Sequence, residues 1–227
     1  MSEEIPADPY DPRGLRHRVM ACYIFHPGSG TLLPWPADIG ADEEQFYPFF
    51  QGDGVNPEFP DRERRITAAP AHIVGNSIVR QLAIHQCLSM KAAFPGAHWS
   101  QPHLVTAHLV AQRPKPGKTS PVSPNYLHQD LEDTAIHLIE RIGVTGGQSV
   151  IGKVAAAGLH PSEASPNHIL YKCTLRPGET LYIRDSMVSH HANAVSVDPD
   201  YDGKDGPARR CTILMDAKPF NLEPYYA

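Results

Sequence analysis

Ala135-Ile-His-Leu-Ile-Glu-Arg-Ile-Gly-Val144 and Gln148-Ser-Val-Ile-Gly-Lys-Val-Ala155, joined by Thr145-Gly146-Gly147, form the stretch on which the fold reading turns. Two apolar runs flank a glycine-rich tripeptide, the pattern of a β-hairpin. Both runs lie inside a proline-free window, Asn125 to His160. That matters because the chain is rich in proline, with 23 in 227 residues, about twice the usual ~5%. Helix interiors and central strands exclude proline. The windows without it, Ala71 to Phe94, Asn125 to His160, Gly178 to Asp198 and Ala208 to Lys218, should therefore hold the regular structure.

Working outward, most runs read as short strands: Arg18 to Phe25, Leu104 to Ala111, His168 to Leu175, Thr180 to Ile183, Met187 to Val197 and Arg210 to Met215. Pro177-Gly178 supplies a turn. The first window is the exception. Ile78, Val79, Leu82, Ile84, Leu88 and Met90 recur at three- and four-residue spacing, which predicts a helix that Asn76 caps and Pro95-Gly96 ends. Many short strands with turn signals predict a mainly β sandwich or jelly roll. At this length the chain reads as one domain, residues 16–227, after a flexible N-terminal segment, residues 1–15. Residues 198–207 read as a second mobile segment.

Net charge is −5 with a pI of about 6.2, so no basic stripe recommends nucleic acid. No run of about 18 apolar residues suggests a membrane span, and no secretory signal is visible at the N-terminus. Cys22, Cys87, Cys173 and Cys211 form no CxxC pair. A reduced, cytoplasmic chain is the simplest reading, with two distant disulfides left open.

The chemistry lies in Tyr126-Leu127-His128-Gln129-Asp130. In a strand, residues i and i+2 face one side, so His128 and Asp130 can reach one ion. Among 13 histidines, chance alone supplies about one such pair. Context raises its weight. Downstream come Asp185, His190 and His191, then Arg209-Arg210-Cys211-Thr212 opening a strand. Two histidines and one carboxylate with open positions make the ligand set of non-haem Fe(II) oxygenases.

The order His-x-Asp, distal His, then Arg resembles the Fe(II)/2-oxoglutarate-dependent dioxygenases, and more narrowly the free L-amino-acid hydroxylases of the isoleucine 4-hydroxylase type. Asp11-Pro-Arg-Gly-Leu-Arg16-His-Arg18, Leu138-Ile-Glu-Arg141-Ile-Gly-Val-Thr-Gly146-Gly147-Gln-Ser149 and Asp185 with His190 carry the likeness, which spans residues 11–219. The resemblance implies a double-stranded β-helix, cupin-like, with helix packed outside. It implies Fe(II), 2-oxoglutarate and dioxygen as cofactors, and oxidation of a free amino acid with release of succinate and carbon dioxide. By it, His128, Asp130 and His190 are the metal ligands, His191 being the alternate. Arg210 with Thr212 takes the 2-oxoglutarate tail, Arg209 being the alternate. Arg141 is the candidate for the substrate carboxylate. Arg16 and Arg18 belong to the likeness without an assigned role. Leu131 departs from the family's His-x-Asp-Gly and should reshape the pocket.

His98, His103 and His108 read as surface or half-buried, and His137 as packed or hydrogen-bonded. A cupin-type metalloenzyme without 2-oxoglutarate and a non-catalytic jelly-roll binding module remain alternatives at this point. A homodimer is equally open.

Overall fold

The computed structural model describes residues 5–49, 63–130 and 132–220. Strands β1 (Arg16–His26), β2 (Thr31–Pro34), β3 (Asp38–Ile39), β4 (Gln45–Phe49) and β5 (Arg64–Thr67) precede helices α1 (Ala71–Val74) and α2 (Ser77–Ala93). Then follow β6 (His103–Gln112), β7 (Asp133–Ile142), β8 (Val144–Gly146), β9 (Ser149–Lys153) and β10 (Ile169–Cys173). The chain closes with β11 (Thr180–Arg184), β12 (Val188–Ala192), β13 (Val195–Val197) and β14 (Arg209–Pro219). The major sheet runs β11-β7-β14-β6-β1-β2 and is antiparallel throughout. The minor sheet runs β10-β9-β12, and β13 pairs with β8. This is the mainly β jelly roll expected, with a helix packed outside. The small sheet β3-β4-β5 was not foreseen.

Strand β14 shows how the layers divide. Its alternate residues Cys211, Ile213, Met215 and Ala217 are buried in the main core with Val79, Ala83, Cys87 and Met90 of α2. The intervening Arg210, Thr212, Leu214 and Asp216 line a cavity on the other face. A period of two therefore separates core from site along one strand. Helix α2 is capped as expected: Asn76 Oδ1 accepts from the Ile78 and Val79 amides at 3.0 and 3.3 Å. Its buried stripe is rotated from the expected one, because Ile78 is 65% and Leu88 46% exposed. Gln86, a polar residue, fills the stripe and donates to the Asp133 and Met215 carbonyls.

The expected hairpin at Thr145-Gly146-Gly147 does not form. Strand β7 pairs with β11 and β14, while β9 pairs with β10 and β12. Gly143, Gly146 and Gly147 all have positive φ and carry the chain from one sheet to the other. Glycine adopts that region without steric cost, so the tripeptide makes a sheet corner instead. Likewise the run Met187 to Val197 divides at Asn193-Ala194 into β12 and β13.

Residues 5–15, read as flexible, carry the buried Ile5, Asp8, Asp11 and Leu15. Asp11 anchors them by accepting from the Leu15 and Arg16 amides at 2.8 and 2.7 Å. All four cysteines are free thiols. His103 and His108 are fully buried, deeper than expected. His137 is buried and bonded to Thr180 Oγ1 at 2.8 Å. No helix among the described residues is long and apolar enough to cross a membrane. Leu131 lies outside the described residues.

Candidate active site

The segment carrying His128 adds to the edge of β12 through one bridge. The His128 amide donates to the His190 carbonyl at 2.9 Å and the reverse bond is 2.8 Å. That pairing brings two distant histidines to one place, with ring centroids 4.2 Å apart. Asp130 Oδ2 lies 3.7 Å from His128 Nε2 and 3.6 Å from His190 Nε2. Among the described residues these three form the one cluster of potential ligand atoms, all within 4.8 Å of one another.

The other ring nitrogens are occupied. His128 Nδ1 donates to the Tyr126 carbonyl at 3.1 Å. His190 Nδ1 donates to Asp185 Oδ1 at 2.7 Å. Each bond orients its ring and turns Nε2, a nitrogen able to bind a metal, toward Asp130. Asp185 is fully buried, and its second oxygen accepts from the Asp130 amide. One carboxylate thus holds both arms of the cluster. Burial pulls the His190 imidazole down, but the Asp185 hydrogen bond and the charges of Asp185 and Asp130 outweigh it and hold the group at about 9. Burial and the neighbouring His190 instead push His128 below its ordinary value. An anionic, partly desolvated N,N,O set of this kind fits a divalent cation such as Fe(II).

The cluster opens on a cavity of about 140 Å³. On its β14 wall Arg210 is 2% exposed and donates to Gln112 Oε1 at 3.2 Å. No carboxylate among the described residues lies within ion-pair distance of it. Burial, with Arg141 nearby, lowers its guanidinium to about 10. Gly147 makes room for this side chain: a Cβ there would sit 3.1 Å from Arg210 Cδ and Nε. A buried cation with no carboxylate among the described residues beside it is costly, and its guanidinium fork can grip a carboxylate.

The alternates sit differently. Arg209 points to the other face and holds Glu140 in a fork at 2.8 and 2.7 Å. His191 lines the cavity, but both its ring nitrogens are used, by the Pro124 carbonyl at 2.9 Å and Asn193 at 3.1 Å. Thr212 does line the cavity beside Arg210. Arg141 is not part of the lining; its Nη2 donates to the Gly146 carbonyl at 2.8 Å. Sequence reasoning missed Gln112, Arg64 and the buried carboxylate of Asp216, all on the cavity wall. It noted Asp185 only as a spacing mark. The five-residue interval to His190 was the available signal; the carboxylate's burial was not visible in it.

Jelly-roll topology, a His-Asp-His cluster able to hold a metal and a buried arginine on the same cavity fit a metal-dependent oxygenase. The model of the 2OG-Fe dioxygenase family matches residues 1–208, and the chain belongs to that family. The family uses Fe(II), 2-oxoglutarate and dioxygen, so the protein is a 2-oxoglutarate-dependent oxygenase. Solved structures agree on the fold. A BsmA homologue from Methylobium petroleophilum PM1 superposes with a TM-score of 0.72 at 20% identity, covering 95% of this chain and 77% of that one. IDO from Bacillus thuringiensis gives 0.64 at 18% identity, covering 93% and 78%. The Fe(II)/α-ketoglutarate-dependent dioxygenase TqaL gives 0.64 at 11% identity, covering 96% and 72%. No curated protein matches the chain.

Proposed function

We propose that His128, Asp130 and His190 hold the iron, that Arg210 with Thr212 binds the 2-oxoglutarate tail, and that the substrate is a free amino acid or close derivative, which is hydroxylated. The observation that carries this reading is the convergence of the three ligand atoms on the same cavity as a buried, carboxylate-free Arg210. A cupin that binds only a metal has no need of that arginine. When bound, iron with 2-oxoglutarate and dioxygen supplies the oxidant for an unactivated C–H bond.

The chain's own residues orient and exclude. Tyr126 and Asp185 fix the two imidazoles through their Nδ1 hydrogens. Gln112 holds the Arg210 fork. Ile136, Ile151, Ile183 and Leu214 give the cavity an apolar wall, which keeps water from the reacting bond. The amino-acid substrate is supported by the motif likeness and by a cavity of small-molecule size. Four free thiols, three of them buried, support a reducing, cytoplasmic setting.

The test is succinate release. Protein with Fe(II), 2-oxoglutarate and air is offered each of the common L-amino acids. Stimulation by one or a few, absent in His128→Ala, is the expected result. No stimulation by any of them removes the amino-acid substrate.

A further inference from the structure

Arg18 is conspicuous on the cavity wall because it pairs with no carboxylate among the described residues. Arg16, its neighbour on the same face of β1, is paired with Asp8 at 2.8 Å. Arg18 instead donates through Nε and Nη2 to Nδ1 of His108, at 3.2 and 2.8 Å. His108 accepts there as a neutral ring, since burial and the charges of Arg18 and Arg64 push it well below its ordinary value. Among the described residues no carboxylate lies within ion-pair distance of Arg18. Arg64, 4% exposed, sits on the same side. The two guanidinium carbons lie 5.2 and 4.8 Å from the centre of the Phe49 ring. Two guanidinium groups thus share one aromatic ring inside one cavity. Asp216, the acidic group across His108, accepts from Thr134 Oγ1 at 2.7 Å and stands 3.9 Å from His108 Nε2.

Register separates this pair from the 2-oxoglutarate arginine. Arg18 is opposite Val110 of β6, and Val110 is opposite Thr212 of β14. Two strand spacings, about 10 Å, lie between Arg18 and Thr212. A 2-oxoglutarate tail held at Arg210 and Thr212 leaves Arg18 unanswered.

We propose that Arg18, held between His108 and the Phe49 ring, takes the free carboxylate of the substrate, so that the substrate class is a small molecule with an unesterified carboxyl group and an aliphatic body. This rests on the reading of the cavity as the oxygenase site and gives Arg18 the role expected at Arg141. Arg18 binds substrate and touches no reacting atom. Its fork offers two donors to a carboxylate, and Leu214 and Ile136 offer apolar surface. Esters, amides and residues within a peptide chain lack the group it grips.

The test is equilibrium binding without turnover. Protein loaded anaerobically with Fe(II) and 2-oxoglutarate is titrated calorimetrically with 4-methylpentanoate, L-leucine and their carboxamides. The acids should bind at least about 10-fold more tightly than the amides, the usual scale for a charged hydrogen bond. Arg18→Gln should close that gap while leaving 2-oxoglutarate affinity within about twofold, and Arg18→Lys should restore part of it. Acid and amide binding equally to the wild type, neither binding, or an acid preference retained in Arg18→Gln would each overturn the proposal. Should 4-methylpentanoate bind in an Arg18-dependent way while no amino acid stimulates succinate release, the anion site stands and the amino-acid substrate falls.

Discussion

Asp185 is the residue on which the cluster depends most without joining it. One oxygen fixes the tautomer of His190 and the other holds the Asp130 amide. Asp185→Asn keeps the size and removes the charge, so metal affinity should fall by about 10–100-fold. A metal titration by calorimetry, with circular dichroism to confirm the fold, checks this; unchanged affinity contradicts it. Gly147 matters for a different reason. Its φ is +66° and a side chain there would press on Arg210. Gly147→Ala should cost about 1–2 kcal/mol of stability from the left-handed backbone and raise the 2-oxoglutarate Kd. Denaturant midpoints and ligand titration read the two effects separately. The candidate ligands were legible in sequence because His-x-Asp is a local pattern, although His128 sits on a single bridge to His190 and Asp130 lies beyond it, not on the expected strand. Asp185, Gln112 and Arg18 were not, because each acquires its meaning from a partner far along the chain.

The elements show the same division between local and distant information. Helix α2 was legible, with its cap, because an asparagine before an apolar periodic run is a local signal. Asn76→Ala should lower stability by about 1 kcal/mol, seen as a fall in Tm with 2-oxoglutarate binding unchanged. Its buried face was misjudged because apolar residues lie on more than one side. Val79, Ala83, Cys87 and Met90 are buried while Ile78 is exposed, and only the packed sheet decides between them. The corner at Gly146-Gly147 was misread as a hairpin for a related reason. Strands β7 and β9 each find better partners elsewhere, and a tripeptide cannot report pairing that is settled 20 to 70 residues away.

At the scale of the whole molecule, the jelly roll places its core on one face of the major sheet and its chemistry on the other. Proline marked where the regular structure lies, and three proline-free windows carry His128 and Asp130, then His190, then Arg210; the division between faces was not visible in it. The fold also buries neutral histidines, with a consequence for acid stability. Burial, and then His85, lower His137 to about 4, below the ordinary value of 6.5. Between those values the unfolded chain holds a proton that the folded chain does not. Stability therefore rises with pH across that window and is lost as pH falls through it. Urea midpoints between about pH 4.5 and pH 6.5 should show this slope, and His137→Gln should flatten it. An unchanged slope would assign the effect to other groups. On the proposed function, one cavity holds iron at His128, Asp130 and His190 and 2-oxoglutarate at Arg210. The most direct measurement is the weak visible metal-to-ligand band formed anaerobically as 2-oxoglutarate is added to the Fe(II)-loaded protein. The band should appear in the wild type and in His191→Ala, vanish in His190→Ala, and require at least about 10-fold more 2-oxoglutarate in Arg210→Gln. A band that survives in His190→Ala, or an unchanged midpoint in Arg210→Gln, would contradict the account.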